Sequence, residues 1–174
     1  MEKNYDMKHI VFTGPECSGK TTLSTIIAKK FDINLVTEYA RIYLKKINRP
    51  YNYGDLLEIA KGQLKLENQQ IKKKNSFIIC DTNLQVIKIW SQVKYNKCDS
   101  FIIKNENKNA LYILCKPDFN WVHDPMRENP TDRNHLFKLY EKDLTQHNRN
   151  YIIVSGSIEK RIQLISHMIS KLSH

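Results

Sequence analysis

The chain has 174 residues, of which 41% are hydrophobic and 26% are charged, and its formal net charge is +10 at pH 7. This length suits one domain spanning residues 1–174, and the absence of a long apolar run and of an export signal predicts a cytoplasmic protein with no membrane partner. The lysines that supply the charge are spread along the chain, which makes a nucleic-acid partner an unfavoured interpretation.

The first predicted strand, Ile10-Val11-Phe12, leads into a glycine-containing motif. Residues 14–21 read Gly-Pro-Glu-Cys-Ser-Gly-Lys-Thr, which matches the phosphate-binding pattern G-x-x-x-x-G-K-[ST]. Apolar residues at helical spacing follow it, so the motif has the strand and helix context that it requires. Loop N–H groups and the helix N-terminus can then converge on phosphates. The predicted cofactor-binding residues are Gly14, Pro15, Glu16, Cys17, Ser18, Gly19, Lys20, Thr21 and Thr22.

Two residues of this motif have specific predicted roles. Lys20 is expected to reach the β- and γ-phosphates of ATP, and the Thr21 hydroxyl is expected to bind Mg²⁺. An ordinary glycine turn is the alternative, but it does not explain why Gly-Lys-Thr falls at the start of a helix.

The second predicted strand, residues 33–37, ends in polar residues. Glu38, Tyr39 and Arg41 follow it, and ligands gather at the carboxyl ends of strands in open α/β sheets. We therefore expect Glu38 to meet a substrate. The alternative is that Glu38 and Arg41 form a surface i,i+3 pair in the first turn of a helix.

Two helices are predicted next, a short one that ends at residues 48–50 and a long amphipathic one over residues 55–74. Gly62 in the long helix costs about 1 kcal/mol relative to Ala, which the close approach of another element or of a substrate would explain. Lys72, Lys73 and Lys74 form the one basic run, interpreted as a solvated helix end rather than a binding patch.

The third predicted strand, residues 77–82, carries a second site signal. Its apolar residues lead into Asp81, as in a Walker-B strand whose Asp holds Mg²⁺ directly or through water. The alternative role for Asp81 is a helix cap. A helix over residues 84–95 follows, in which Trp90 and the aliphatic residues are expected to be core rather than a ligand platform. A shorter helix starts near Phe101.

The fourth predicted strand, residues 111–115, leads into a long connection without periodicity, residues 116–133, which we interpret as a candidate lid. Arg127 and Arg133 are expected to lie over the phosphates and exclude water. In the alternative, Asp124 and Glu128 pair with these arginines on an exposed loop. A helix over residues 134–147, a strand over residues 151–154 and a final helix from Ile158 complete the chain.

Strands and helices alternate throughout, which is typical of an α/β fold. We predict a three-layer sandwich in which a mainly parallel five-stranded sheet is covered by helices on both faces.

Residues 14–21, the Glu38-Tyr39-Ala40-Arg41 segment, Asp81-Thr82 and the segment 121–127 together resemble the ribosylnicotinamide kinase domain of bacterial bifunctional NAD-biosynthesis proteins. The resemblance spans nearly the whole chain and implies a P-loop kinase fold related to nucleoside and nucleotide kinases, with Mg-ATP as donor. It implies catalytic roles for Lys20, Glu38, Asp81 and Arg127, and metal contacts from Thr21 and Asp81. Together with the lid argument for Arg133, the predicted substrate contacts are Glu38, Tyr39, Arg41, Asp81, Trp121, Asp124, Arg127 and Arg133.

Two positions depart from this family. Thr37 stands where those kinases commonly have Trp, and Asn83 replaces the second Asp of their Asp-Thr-Asp motif. The expected reaction is transfer of the γ-phosphoryl group of ATP to a ribosyl hydroxyl, with nicotinamide riboside or a related nucleoside as acceptor. A regulatory or switch ATPase without a metabolite acceptor is the alternative. Either Glu38 or Asp81 could orient the hydroxyl proton.

Overall fold

The computed structural model describes residues 9–71, 77–124 and 127–172. Five strands alternate with seven helices over these ranges. The strands are β1 His9–Thr13, β2 Asn34–Val36, β3 Ile78–Asp81, β4 Leu111–Cys115 and β5 Asn150–Val154. The helices are α1 Lys20–Phe31, α2 Tyr39–Ile47, α3 Tyr53–Ile71, α4 Leu84–Tyr95, α5 Ser100–Asn105, α6 Arg133–Gln146 and α7 Ile158–Leu172.

The strands form one sheet in the order β2-β3-β1-β4-β5, and every neighbouring pair is parallel. The predicted α/β class and the parallel five-stranded sheet are therefore confirmed. All five carboxyl ends meet at one edge, with β1 in the centre. Since Phe12 of β1 pairs with Asp81 of β3, the loop after β1 and the acid that ends β3 must lie side by side.

Alternate side chains of the central strands enter opposite layers of the core. In β1, Ile10 and Phe12 pack with α1 and α7, whereas Val11 packs with α4 and α6. All three are completely buried. A parallel sheet covered on both faces requires such continuously apolar strands, which is why the short run was recognisable from sequence.

Small polar residues set the helix boundaries. The side chain of Asn83 accepts a hydrogen bond from the N–H of Gln85 and caps α4. Asp32, Asn48 and Asn96 end their helices in the left-handed conformation, which Asn and Asp adopt more readily than other non-glycine residues. Boundaries of α4 and β4 agree with the prediction. The long helix begins two residues early, at Tyr53, while the basic run at residues 72–74 lies outside the described residues.

The glycine inside α3 marks a close contact between two helices. A Cβ atom on Gly62 would lie 2.0 Å from the ring of Tyr39, the first residue of α2. The close approach that the sequence predicted at Gly62 is therefore made by a neighbouring element. No helix in the described ranges is long and apolar enough to cross a membrane.

Candidate functional site

The 14–21 loop has a backbone path that two of its glycines allow. Gly14 and Gly19 have φ of 125° and 85°, which L side chains rarely adopt. A Cβ on Gly14 would lie 2.7 Å from the carbonyl oxygen of Cys115 in β4, and one on Gly19 would lie 2.9 Å from the Phe119 ring. Both glycines therefore also permit close packing.

Lys20 lies within the curve of this loop. Its Nζ donates hydrogen bonds to the carbonyl oxygens of Gly14, at 2.9 Å, and Pro15, at 2.6 Å. The same cation lowers the pKa values of Glu38 and Asp81, although burial raises them more. Lys20 therefore interacts electrostatically with both candidate acids.

Asp81 ends β3 next to the loop, and its side chain is buried. Burial raises the pKa of this carboxyl, while a hydrogen bond from Thr21 and the charges of Lys20 and Arg41 oppose the rise. Its Oδ1 has no hydrogen-bond partner among the described residues. A buried anionic oxygen without a partner is unfavourable unless a cation or donor reaches it.

Glu38 follows β2 and precedes α2, so it faces the same edge of the sheet. Burial raises the pKa of its carboxyl, Lys20 opposes this rise, and the negative charge of Asp81 adds to it. Arg41 Nε lies 3.4 Å from Glu38 Oε2, which is the i,i+3 pair considered from the sequence. Arg41 also binds Asp124 at 3.1 Å, so the pair links β2 to the 116–133 connection.

Gln63 of α3 supports both acid-bearing turns and was not predicted. This buried side chain accepts a hydrogen bond from the Tyr39 N–H at 2.9 Å and donates to the Thr82 carbonyl at 3.4 Å. Tyr39 directly follows Glu38, and Thr82 directly follows Asp81. Asn83 does not point to the phosphate loop, since it caps α4 and donates to the Tyr112 hydroxyl at 3.2 Å.

A cavity of about 460 Å³ opens beside the loop and Glu38. Its far wall is one face of α4, including Val86, Trp90 and Val93. The expectation that Trp90 belongs to the core is only partly right, because it also lines this cavity. Around the cavity lie Gly14, Pro15, Glu16, Cys17, Ser18, Gly19, Lys20, Thr21, Thr22, Glu38, Ala40, Arg41, Leu44, Val86, Ile89, Trp90, Val93, Lys94, Arg127, Glu128, Asn129, Leu136 and Tyr140.

Several predicted substrate contacts do not line this cavity. The Tyr39 ring packs against Gly62. Arg133 donates to the Phe119 carbonyl at 2.7 Å and lies 5.9 Å from the centre of the Trp121 ring. Of the predicted substrate contacts in the described part of the chain, Glu38, Arg41 and Arg127 line the cavity, whereas Tyr39, Asp81, Trp121, Asp124 and Arg133 do not.

The 116–133 connection contacts the phosphate loop directly where it is described. Glu16 accepts hydrogen bonds from the N–H groups of Glu128 and Asn129. Glu128 pairs with Lys94 of α4 at 2.8 Å. Asp124 and Glu128, the acids considered in the sequence analysis, thus have partners outside this connection, Arg41 for Asp124 and Lys94 for Glu128. Residues 125 and 126, within the predicted lid, lie outside the described residues.

Arg161 of α7 is a further residue that the sequence analysis missed. Its buried guanidinium donates to the Ser18 carbonyl at 2.8 Å and to Asp118 at 2.9 Å. It thereby fixes the back of the phosphate loop to the start of the 116–133 connection. The available signal was a charge at position 161 on the apolar stripe formed by Ile158 and Ile165.

The residues fit a magnesium ion. Mg²⁺ prefers oxygen ligands and is commonly held by one or two protein groups together with phosphates and waters. The unpartnered Asp81 Oδ1 and the adjacent Thr21 hydroxyl are such groups.

Comparison with known proteins identifies a family and a group of similar folds. A sequence family described as an AAA domain matches residues 9–161. No curated protein matches the chain in sequence. A crystal structure of the NadR protein in complex with NR has a TM-score of 0.70 at 18% identity, covering 87% of this chain and 46% of that one. The chain thus spans less than half the length of NadR.

Two further structures match this chain over nearly the whole of their own length. Deoxyadenosine kinase from M. mycoides, with dCMP and dCDP bound, has a TM-score of 0.66 at 19% identity. The match covers 94% of this chain and 99% of that kinase. The YorR protein from Bacillus subtilis, in complex with phosphorylated GDP, has a TM-score of 0.60 at 12% identity, with coverage of 96% here and 99% there. At these identities the similarity establishes the P-loop kinase-like fold.

Proposed function

This chain belongs to the AAA-domain family, and from that premise we propose that it is a Mg-ATP-dependent kinase that phosphorylates a ribosyl hydroxyl of a small acceptor. Nicotinamide riboside or a related nucleoside is the proposed acceptor. The resemblance of residues 14–21, Glu38, Asp81 and Arg127 to ribosylnicotinamide kinases supports this choice, and the kinase-like fold is compatible with it.

The observation that carries the proposal is the position of Glu38 in relation to the loop and the cavity. Its carboxylate interacts with Lys20 and Asp81 and lines a cavity of about 460 Å³ whose far wall is apolar. A phosphate-binding loop with such a cavity next to it has room for an acceptor as well as a nucleotide. Hydrolysis of ATP alone requires only a water molecule next to the γ-phosphate. An apolar wall at this position therefore favours an acceptor over the ATPase alternative.

The surroundings of the two acids suggest different roles. Asp81, with its unpartnered Oδ1 and its contact to Thr21, would hold Mg²⁺. The ion would neutralise charge on the phosphates when bound. Glu38 would accept the proton of the acceptor hydroxyl and orient that oxygen toward the γ-phosphorus. A carboxyl whose pKa is raised by burial is a stronger base than a free one.

Lys20 and Arg127 would stabilise the charge that spreads over the transferred group, since phosphoryl transfer depends mainly on positioning and electrostatics. Lys20 is preorganised inside the loop by its two carbonyl contacts. Arg127 lines the cavity. Tyr140 and Trp90 would pack against the acceptor and exclude water.

A nucleoside panel with Mg-ATP tests the proposal. We expect a phosphorylated nucleoside that forms in proportion to ADP, and a folded Lys20→Ala protein should have lost this transfer. Circular dichroism of the variant controls for folding. ADP release that is independent of every acceptor would contradict the kinase proposal and favour the ATPase alternative.

A further inference from the structure

Glu16 belongs to the phosphate loop, yet its side chain is directed to another part of the chain. Its Oε1 accepts the N–H of Glu128 at 2.9 Å, and its Oε2 accepts the N–H of Asn129 at 3.0 Å. Hydrogen bonds to a charged acceptor are stronger than those between neutral groups. One carboxylate thus joins the loop to a segment more than a hundred residues later, which we call the strap, residues 127–129.

The strap has a second attachment across the cavity. The carboxylate of Glu128 lies 2.8 Å from Lys94 Nζ and accepts a hydrogen bond from the Tyr51 hydroxyl. Trp90 Nε1 donates to the same hydroxyl at 2.8 Å. Because Glu128 binds the phosphate loop through its backbone and α4 through its side chain, the strap bridges the cavity from one wall to the other.

Arg127 is held at the loop side of this bridge. Its guanidinium donates to the Val122 carbonyl at 2.7 Å. Val122 contacts Cys17, the residue after Glu16, through an N–H that lies 3.4 Å from the sulfur atom. The residue after Arg127 is Glu128, whose backbone N–H donates to the Glu16 carboxylate. The Arg127 side chain is therefore attached to the phosphate loop through Val122 and Cys17, and the backbone that follows it is attached through Glu16.

We propose that Glu16 is a positioning residue that holds the strap against the phosphate loop and thereby places Arg127 for phosphoryl transfer. This inference rests on the proposed kinase function for the role of Arg127. The contact of Glu16 with the strap is independent of that function. If Glu16 served only to stabilise the fold, its loss would lower stability without acting through Arg127.

A double-mutant cycle tests the proposal on the full chain. With saturating Mg-ATP and acceptor, Glu16→Ala should lower kcat about tenfold, less than the loss of Arg127 itself, because it displaces Arg127 without removing its charge. Affinity for ATP, measured with a fluorescent analogue, fixes the ATP concentration at which each variant is saturated, so that the comparison of kcat is independent of nucleotide binding. Arg127→Ala should lower kcat about a hundredfold. The double variant should be no slower than Arg127→Ala alone. Multiplication of the two effects, or an unchanged kcat in Glu16→Ala, would overturn the proposal.

Amide hydrogen exchange tests the contact without any enzymatic assay. The N–H groups of Glu128 and Asn129 should exchange at least tenfold faster in Glu16→Ala, because their acceptor is gone. Glu58→Ala is the matched control, an exposed carboxylate on α3 whose removal should change neither exchange nor turnover. Unaltered exchange in Glu16→Ala overturns the strap contact. Absence of transfer by the unchanged protein instead overturns the proposed function.

Discussion

Glu38 and Asp81 lie at the carboxyl ends of two neighbouring parallel strands, β2 and β3, yet their environments differ. Asp81 is almost inaccessible and receives a hydrogen bond from Thr21, whereas Glu38 lines the cavity and pairs with Arg41. Burial raises the pKa of both. Carboxylates in different surroundings commonly divide the tasks of a site between them.

Separate substitutions should reveal this division. Glu38→Gln should reduce transfer by about 10²–10⁴-fold, as expected for loss of a general base, while Mg-ATP still binds. Asp81→Asn should raise the Mg²⁺ concentration that gives half-maximal activity. Titration of activity and of nucleotide binding with Mg²⁺ measures both effects. An exchange of the two phenotypes would reverse the assignment.

The raised pKa of Glu38 also sets the direction of a pH dependence. A base works only when deprotonated, so kcat/KM should rise as the pH increases through the pKa of this carboxyl. That rise should occur above the ordinary Glu value of 4.5. A pH–rate profile of the unchanged protein measures it, and a rise centred at or below 4.5 would contradict the role of burial.

At the scale of elements, the contact between α2 and α3 determines where Glu38 lies. Gly62 admits the Tyr39 ring, and Gln63 binds the Tyr39 N–H. Both contacts act on the residue that follows Glu38. The orientation of the turn that carries Glu38 therefore depends on a helix that contains none of the predicted site residues.

Gly62→Ala should be destabilising although alanine is the better helix former. The helix gains about 1 kcal/mol, but a Cβ atom 2.0 Å from the Tyr39 ring forces that ring or α2 to move, and overpacking typically costs about 1–3 kcal/mol or more. Urea denaturation measures the balance. Gly54→Ala, near the start of the same helix, is the control, because its added Cβ would come no closer than 3.3 Å to Asn52. Equal stability changes in the two variants would contradict the packing argument.

Glu67 on the same helix makes stability depend on pH. Burial raises the pKa of this carboxyl from 4.5 to about 7, although Gln63 opposes the rise by donating a hydrogen bond. The folded chain therefore binds more protons than the unfolded chain between these values. The contribution of Glu67 to stability is fully present below pH 4.5 and decreases as the pH rises through about 7.

Glu67→Gln should remove this dependence. Relative to the unchanged protein, its stability should increase between pH 5 and pH 8 by up to about 3 kcal/mol, from the size of the pKa shift. Thermal unfolding across that pH range measures the difference. Glu58→Gln, exposed on the same helix, should show no such trend. A constant difference between Glu67→Gln and the unchanged protein would refute the prediction.

For the molecule as a whole, a buried polar network joins the phosphate loop to distant elements. Lys88 of α4 binds Glu106 at 2.5 Å and Asp143 of α6 at 2.8 Å. Asp143 also accepts from Gln85 at 3.1 Å, and Gln85 accepts from Thr13, the residue before the loop, at 2.7 Å. These groups are buried, so each depends on its partners for compensation.

Lys88→Met should therefore destabilise the fold strongly. It leaves the Glu106 and Asp143 carboxylates buried without their shared cation, and breaking such a pair costs about 3–5 kcal/mol. Lys61→Met breaks an ion pair whose side chains are about half exposed and should cost less than about 1 kcal/mol. Chemical denaturation compares them. Similar losses of unfolding free energy in Lys88→Met and Lys61→Met would contradict the importance of burial.

The local pattern of the sequence determined the elements, because strands buried on both faces are continuously apolar and because Gly, Lys and Thr at a strand-to-helix turn serve phosphate binding. It therefore gave β4, α4, the 14–21 loop and Asp81 close to where they lie. Tertiary structure alone decided that Tyr39 packs under Gly62, that Trp90 and Lys94 line the cavity, and that Glu16 binds the strap. These contacts join residues far apart in the chain, and hydrophobic periodicity and motif spacing contain no information about which distant groups meet.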